Sequence, residues 1–129
     1  MLKVSEITQA NIDTITGIKN LSEQIDKVWG IIATIDTIAG KTRTIAFNAE
    51  IEASSVGEQG ENFHIVANEI RRLAATITDS TKEIRSRITA IQHASDNLII
   101  ASEGGTEKIR EGSILFSKLE EKFNELFPL

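Results

Sequence analysis

Val56-Gly57-Glu58-Gln59-Gly60-Glu61-Asn62 decides the fold. Two glycines three residues apart, in polar company, form the natural turn between two long helices. One continuous helix through the stretch is the alternative, since a mid-helix glycine costs only about 1 kcal/mol. Upstream, Val4, Ile7, Asn11, Thr14, Ile18, Leu21, Ile25, Val28, Ile32, Ile35, Ala39, Thr42, Ala46, Ala49 and Ala53 alternate in steps of three and four. That spacing is the seam of a coiled coil or helix bundle. Ile31, Ile38 and Ile45 form a second row beside it and widen the apolar face.

Downstream, Phe63, Val66, Ile70, Leu73, Ile77, Ser80, Ile84, Arg87, Ile91, Ala94 and Leu98 repeat the alternation, with Ala67, Ala74 and Ile88 as the adjoining row. Beyond Leu98 the apolar row runs through Ser102, Gly105, Ile109, Gly112, Phe116, Leu119, Phe123 and Leu126, with two steps of four side by side. This reads as a stutter at Gly104-Gly105, where a left-handed supercoil unwinds locally. Asp13 and Thr14 would lie roughly opposite it. Arg87 interrupts the second seam and would face the first arm near Gly30.

The sequence predicts an all-α fold, a long antiparallel helical hairpin. Residues 1–55 form a descending helix, 56–62 the tip turn and 63–129 an ascending helix with an irregularity at Gly104-Gly105. The first arm would be roughly 80 Å long at 1.5 Å per residue. Two helices alone cannot cover so wide an apolar face. A homodimer forming a four-helix bundle is therefore expected.

Composition narrows the function. The 129 residues hold no cysteine, so disulfides, thiolate metal sites and a cysteine nucleophile are excluded. The one proline is Pro128, which leaves the arms free to run helical. A net charge of −5 argues against nucleic acid as partner. Apolar residues at 40% argue against disorder, yet no run approaches the ~20 residues of a membrane span. Met1, Lys3 and Glu6 open the chain with no apolar signal segment after them, so a cytoplasmic protein, or the cytoplasmic part of a larger and membrane-anchored one, is expected, with no membrane contact by this segment.

No catalytic motif stands out, no cofactor is implied, and an enzyme is not expected. His64 lies one helical turn from Glu61 and from Asn68, which would make a weak metal site; an exposed polar position is the simpler reading, and no metal is expected. Glu120-Glu121 are adjacent, about 100° apart on a helix, so the two carboxylates do not share a site. Trp29 reads as packing at a bundle flank.

The run Ile38-Ala39-Gly40-Lys41-Thr42-Arg43-Thr44-Ile45-Ala46-Phe47-Asn48-Ala49-Glu50-Ile51-Glu52-Ala53 resembles the descending side of the signalling tip of bacterial methyl-accepting chemotaxis receptors. Gly57-Glu58-Gln59-Gly60-Glu61-Asn62-Phe63-His64-Ile65-Val66-Ala67-Asn68-Glu69-Ile70-Arg71-Arg72-Leu73-Ala74 resembles the turn and ascending side, and Thr81-Lys82-Glu83-Ile84 continues the likeness. The arms outside this stretch match in pattern only.

The resemblance implies a cytoplasmic, dimeric hairpin whose tip docks a CheA-type histidine kinase and a CheW-type coupling protein, without catalysis of its own. It places Thr44, Asn48, Glu58 and Ile65 on the partner surface, and Gly57 and Gly60 in the tip turn. Gly40, Arg43, Glu52 and Ser55 fall where dimers meet at the tip. The departures bear on that assembly. Gly40 stands where the family has a bulky aromatic, and Ser55 where it has an arginine. Arg43 and Glu50 replace residues usually Asn and Ala, and Glu61 and Asn62 replace a basic residue and a glycine. The usual trimer of dimers is thereby put in doubt. Read from the residues alone, Glu50, Glu52, Glu58 and Glu61 rim an apolar patch of Phe47, Ile51 and Ile65, which is the make-up of a partner surface. A structural coiled-coil scaffold that has lost kinase coupling is the alternative.

Overall fold

The structure, a computed structural model, describes residues 2–128. Met1 and Leu129, the outer limits of the expected arms, lie outside the described residues. Helix α1 spans Leu2–Ser55 and helix α2 spans Glu61–Leu126, joined through Val56 and a single 3-10 turn, Gly57–Gly60. The described residues contain no strand. The second helix starts at Glu61, two residues ahead of the sequence-based bound. Its first amide already donates to the Glu58 carbonyl, so the 3-10 turn runs directly into the helix.

Intrinsic propensity does not explain helices of this length. The arms are rich in Ile and Thr, and Gly17, Gly30 and Gly40 sit inside α1. Several threonine hydroxyls are satisfied within the helix, as when Thr34 donates to the Gly30 carbonyl and Thr76 to that of Arg72. Packing of one face must supply the remainder.

The chain divides into two compact units. In the first, Gln24–Ile91, the two helix segments lie antiparallel on either side of the turn. Ile25, Ile32, Ala39, Ala46 and Ala53 of α1 are buried, as are Ala67, Ala74, Thr81 and Ile88 of α2. Each helix thus buries one residue in seven, a single row. Ile25, Ile32 and Ile88 form a cluster against which Trp29 packs half-buried, as its flank position suggested. Alanines take over toward the turn.

The second unit pairs Met1–Glu23 with Gln92–Leu129. Ile18 and Ser95 are buried there. The Asn11 amide donates to the Ser102 carbonyl at 2.6 Å and to the Thr106 hydroxyl, so both its hydrogens are used. Val4, Ile7, Ile109, Gly112, Ser113 and Phe116 line a small apolar pocket.

Two expectations need correction. The apolar row Phe63, Ile70, Ile77, Ile84, Ile91 and Leu98 is not the hairpin's own core: Phe63 is 74% exposed and Leu98 54%. The adjoining row, Ala67, Ala74, Thr81 and Ile88, packs between the arms, and toward the turn its small side chains let the two helices approach closely. Arg87 is exposed and pairs with Glu83 one turn away at 3.1 Å, while Gly30 has open space around it. The two do not pack on each other.

Helix α2 is unbroken through Gly104-Gly105. The phase change seen in the sequence resolves into two rows, each with period seven. Ser102 and Ile109, both half-buried, continue the buried row from Ser95, whereas Gly112, Leu119 and Leu126 continue the exposed row from Leu98, with Gly105 of that row half-buried beside Asn11. Among the described residues, no helix is long and apolar enough to cross a membrane.

Candidate partner-docking site

The tip is built on its glycines, each for a different reason. Gly57 has φ +72°, the left-handed conformation that closes α1 and that L side chains avoid. Gly60 is buried, and a β-carbon there would lie 2.1 Å from the Ala53 carbonyl oxygen. The two arms approach within backbone contact at this point, which holds the turn tight and sets the level of every residue above it.

That level decides which charges meet. Glu50 of α1 has a side chain only 16% exposed and lies 3.1 Å from Arg71 and 3.4 Å from His64, both on α2. The Arg71 contact is an ion pair by distance, but no hydrogen points along it, and Glu50 Oε2 is buried without an aligned hydrogen bond. Attraction of charge, not a directed bond, holds that oxygen. The Arg71 guanidinium also lies over the Phe47 ring, 5.6 Å from its centre. His64 is therefore half-buried in a bridge between the arms and is not the free surface position its sequence context suggested.

Further from the turn, Asp36 accepts hydrogen bonds from Thr81 and Arg85, and the Arg85 guanidinium lies 5.8 Å from the centre of the Trp29 ring. The Thr81 hydroxyl first, then Arg85, holds the Asp36 carboxyl below the usual range. These bridges were missed in the sequence. The signal available was pairing by level about a turn centred on Glu58-Gln59: Asp36 and Thr81 stand at equal distances from it, and Glu50 stands opposite Ala67, between His64 and Arg71.

The residues singled out for docking are solvent-facing. Thr44, Asn48, Glu58 and Ile65 are all exposed, Ile65 by 60%. Gly40, Thr44, Asn48 and Ser55 fall at helical intervals of four, four and seven, so they share one outer face of α1. Thr44 donates to the Gly40 carbonyl at 3.1 Å, and Ser55 to that of Glu52 at 2.7 Å. Glu52 and Arg43 are exposed. Glu58 lies with Glu61 and His64 around a recess floored by Ala53 and Gly57. Ile65 stands on α2, and the structure does not bring it into that recess. Among the described residues, no cluster of three His, Asp or Glu side chains could hold a metal ion.

The tip thus presents exposed polar and apolar side chains on a tightly braced turn. The profile of the methyl-accepting chemotaxis protein signalling domain matches residues 3–127. The frizzy aggregation protein FrzCD of Myxococcus xanthus is 38% identical over 92 residues, which is 71% of this chain and 22% of that protein. The biofilm dispersion protein BdlA of Pseudomonas aeruginosa is 37% identical over 112 residues, covering 87% of this chain and 26% of its own length. The methyl-accepting chemotaxis protein McpP of Pseudomonas putida is 37% identical over 94 residues, 73% of this chain and 17% of its own. The chain spans about a quarter or less of the length of these curated relatives. With the match running through both arms and the turn, the chain belongs to the methyl-accepting chemotaxis protein signalling-domain family.

Proposed function

We propose that this hairpin is a chemotaxis signalling tip that docks a CheA-type histidine kinase through a CheW-type coupling protein, working in the cytoplasm and performing no chemistry itself. The observation that carries the reading is the joint exposure of Thr44, Asn48, Glu58 and Ile65 around a turn that two glycines hold rigid. A rigid tip presents a fixed surface, so little ordering cost opposes docking.

The working unit is a homodimer. The unpaired row Phe63, Ile70, Ile77, Ile84 and Ile91 on α2, with Ile31, Ile38 and Ile45 on α1, is the face a second hairpin covers to complete four helices. Trimers of such dimers are disfavoured. Gly40 carries no side chain for a shared apolar hub, and Ser55 gives the exposed Glu52 no cationic neighbour. The dimer is therefore the dominant species in solution.

Binding of a CheW-type coupling protein, measured by calorimetry, tests the reading. Glu58→Arg and Ile65→Asp are expected to weaken binding several-fold while helicity is unchanged, because surface changes at such sites cost little stability. Full affinity in both variants would contradict the assignment. No binding by the parent chain would favour a scaffold that has lost kinase coupling.

A further inference from the structure

Five of the six arginines have a carboxylate partner: Arg71 with Glu50, Arg72 with Glu69, Arg85 with Asp36, Arg87 with Glu83 and Arg110 with Glu107. Arg43 has none among the described residues. It lines a recess with Thr44, Phe47 and Arg71 on the flank where the two helices meet. Ile45, in the apolar row, follows Arg43 by two residues and so stands about 200° away around the helix. The recess therefore faces away from the stripe that a second hairpin covers.

We propose that this recess receives an acidic side chain of the partner protein, with an apolar neighbour of that side chain resting on Phe47. The inference rests on the docking reading given above. A carboxylate entering here meets two guanidinium groups, and the Thr44 hydroxyl can turn its hydrogen to it from the Gly40 carbonyl. Among the described residues only one carboxylate, Glu50, lies within ion-pair distance of either cation, and it is turned toward Arg71 and His64. The recess thus holds an uncompensated positive charge. Phe47 is 47% exposed, with the Arg71 guanidinium on one side of it. That leaves ring surface for an aliphatic or aromatic contact.

The charge around the recess selects the kind of partner. Glu52, Glu58 and Glu61 crowd the turn, which repels a phosphate polymer and leaves a single acidic side chain as the fitting anion. It also gives the tip polarity. Arg43 and Glu52 are nine residues apart on α1, about 13 Å along the axis at 1.5 Å per residue. Nine residues are two and a half turns, so the two stand on opposite sides of the helix, and a partner seated on the recess meets Arg43 without Glu52. Arg43 thereby becomes a determinant of partner choice that other positions of the tip do not supply.

The test measures affinity of the full chain for a CheW-type coupling protein, with oligomeric state followed by analytical ultracentrifugation. Arg43→Glu is expected to weaken binding about tenfold or more, and Arg43→Lys to stay within about threefold, with sedimentation unchanged in both. The Arg43→Glu loss should be recovered by an acid-to-lysine change on the coupling protein. Raising salt should weaken the parent complex more steeply than that of Arg43→Ala. Equal affinity of Arg43→Glu and parent, with Glu58→Arg still impaired, would overturn the recess while leaving the docking reading intact. If the parent itself does not bind, the docking reading fails and this inference with it. If Arg43→Glu changes self-association and leaves coupling-protein affinity unchanged, the recess is a contact between copies and the proposal is wrong.

Discussion

The carbonyl oxygen of Ala53 points at Gly60 so closely that a β-carbon on Gly60 would lie 2.1 Å from it. Gly60→Ala must therefore force the turn apart, and a loss of about 2–4 kcal/mol is expected, as for other overpacked sites. Gly40→Ala is the opposite case. Its β-carbon meets nothing within 4 Å, so the substitution should stabilise the helix by about 0.5–1 kcal/mol. Urea unfolding followed by circular dichroism separates the two, and shifts of the same sign would show that the tip is not closed as described.

Asp36 gives the fold a dependence on acid. Its folded pKa is lowered by the Thr81 hydroxyl and then by Arg85, from an ordinary value of 3.8. A lowered carboxyl contributes stability that is fully present above the unfolded value and is lost as pH falls through the folded one. Asp36→Asn should thus melt below the parent between pH 5 and 8, by a constant margin. The margin should shrink below about pH 4 and vanish once both forms carry a neutral group. Glu69 and Glu107, lowered by Arg72 and Arg110, titrate alike in both proteins and cancel in the comparison. A margin that stays constant into strong acid would remove Asp36 from the account.

Ile77 stands in the exposed row of α2, 43% accessible in the single chain. If a second hairpin covers that row, Ile77→Asp places a charge at a buried interface in both copies. Association should weaken at least about 100-fold, from lost burial and uncompensated charge together. Sedimentation equilibrium reads this directly. A variant that dimerises as tightly as the parent would mean the row is not the interface.

Asn11 is the one polar residue in the sevenfold row that runs Val4, Asn11, Ile18 on the first helix. Its bonds to Ser102 and Thr106 specify one alignment of the two arms, at some cost in stability. Replacing it by Leu strands no partner, because the Thr106 hydroxyl still bonds the Ser102 carbonyl at 3.1 Å. Asn11→Leu should melt a few degrees higher, with less uniform amide protection around Ser95–Ile109. Sharper protection with the leucine would contradict a role in register.

The turn and the sevenfold rows were legible because both are local. Gly57 and Gly60 stand close together, and periodicity needs only one helix to be seen. The identity of the facing rows was not. Phe63, Ile70 and Ile77 outrank Ala67, Ala74 and Thr81 in hydrophobicity, and hydrophobicity alone assigns the larger residues to the core. Within one hairpin, closeness of approach decides instead, and it favours the smaller side chains. The Glu50–His64–Arg71 bridge was hidden for another reason. It depends on the level at which the arms pair, and a shift of one residue at the turn would set Glu50 against different neighbours. The exposure of Thr44, Asn48, Glu58 and Ile65 follows from the rows they avoid.

Asn11 and Thr106 are separated by 95 positions in the chain, while Ala53 and Gly60 are seven apart. Closing the distant pair first would exact a large loop entropy for one polar contact, whereas closing the near pair costs little. Loop entropy therefore favours folding that starts at the glycines and zips outward, each turn of helix bringing the next within reach. Asn11 is met late, when an arm that slipped early has already committed most of its length. It then serves as a proofreading step: a misaligned pair of arms arrives with its amide facing no acceptor, and must reopen toward the tip before it can finish.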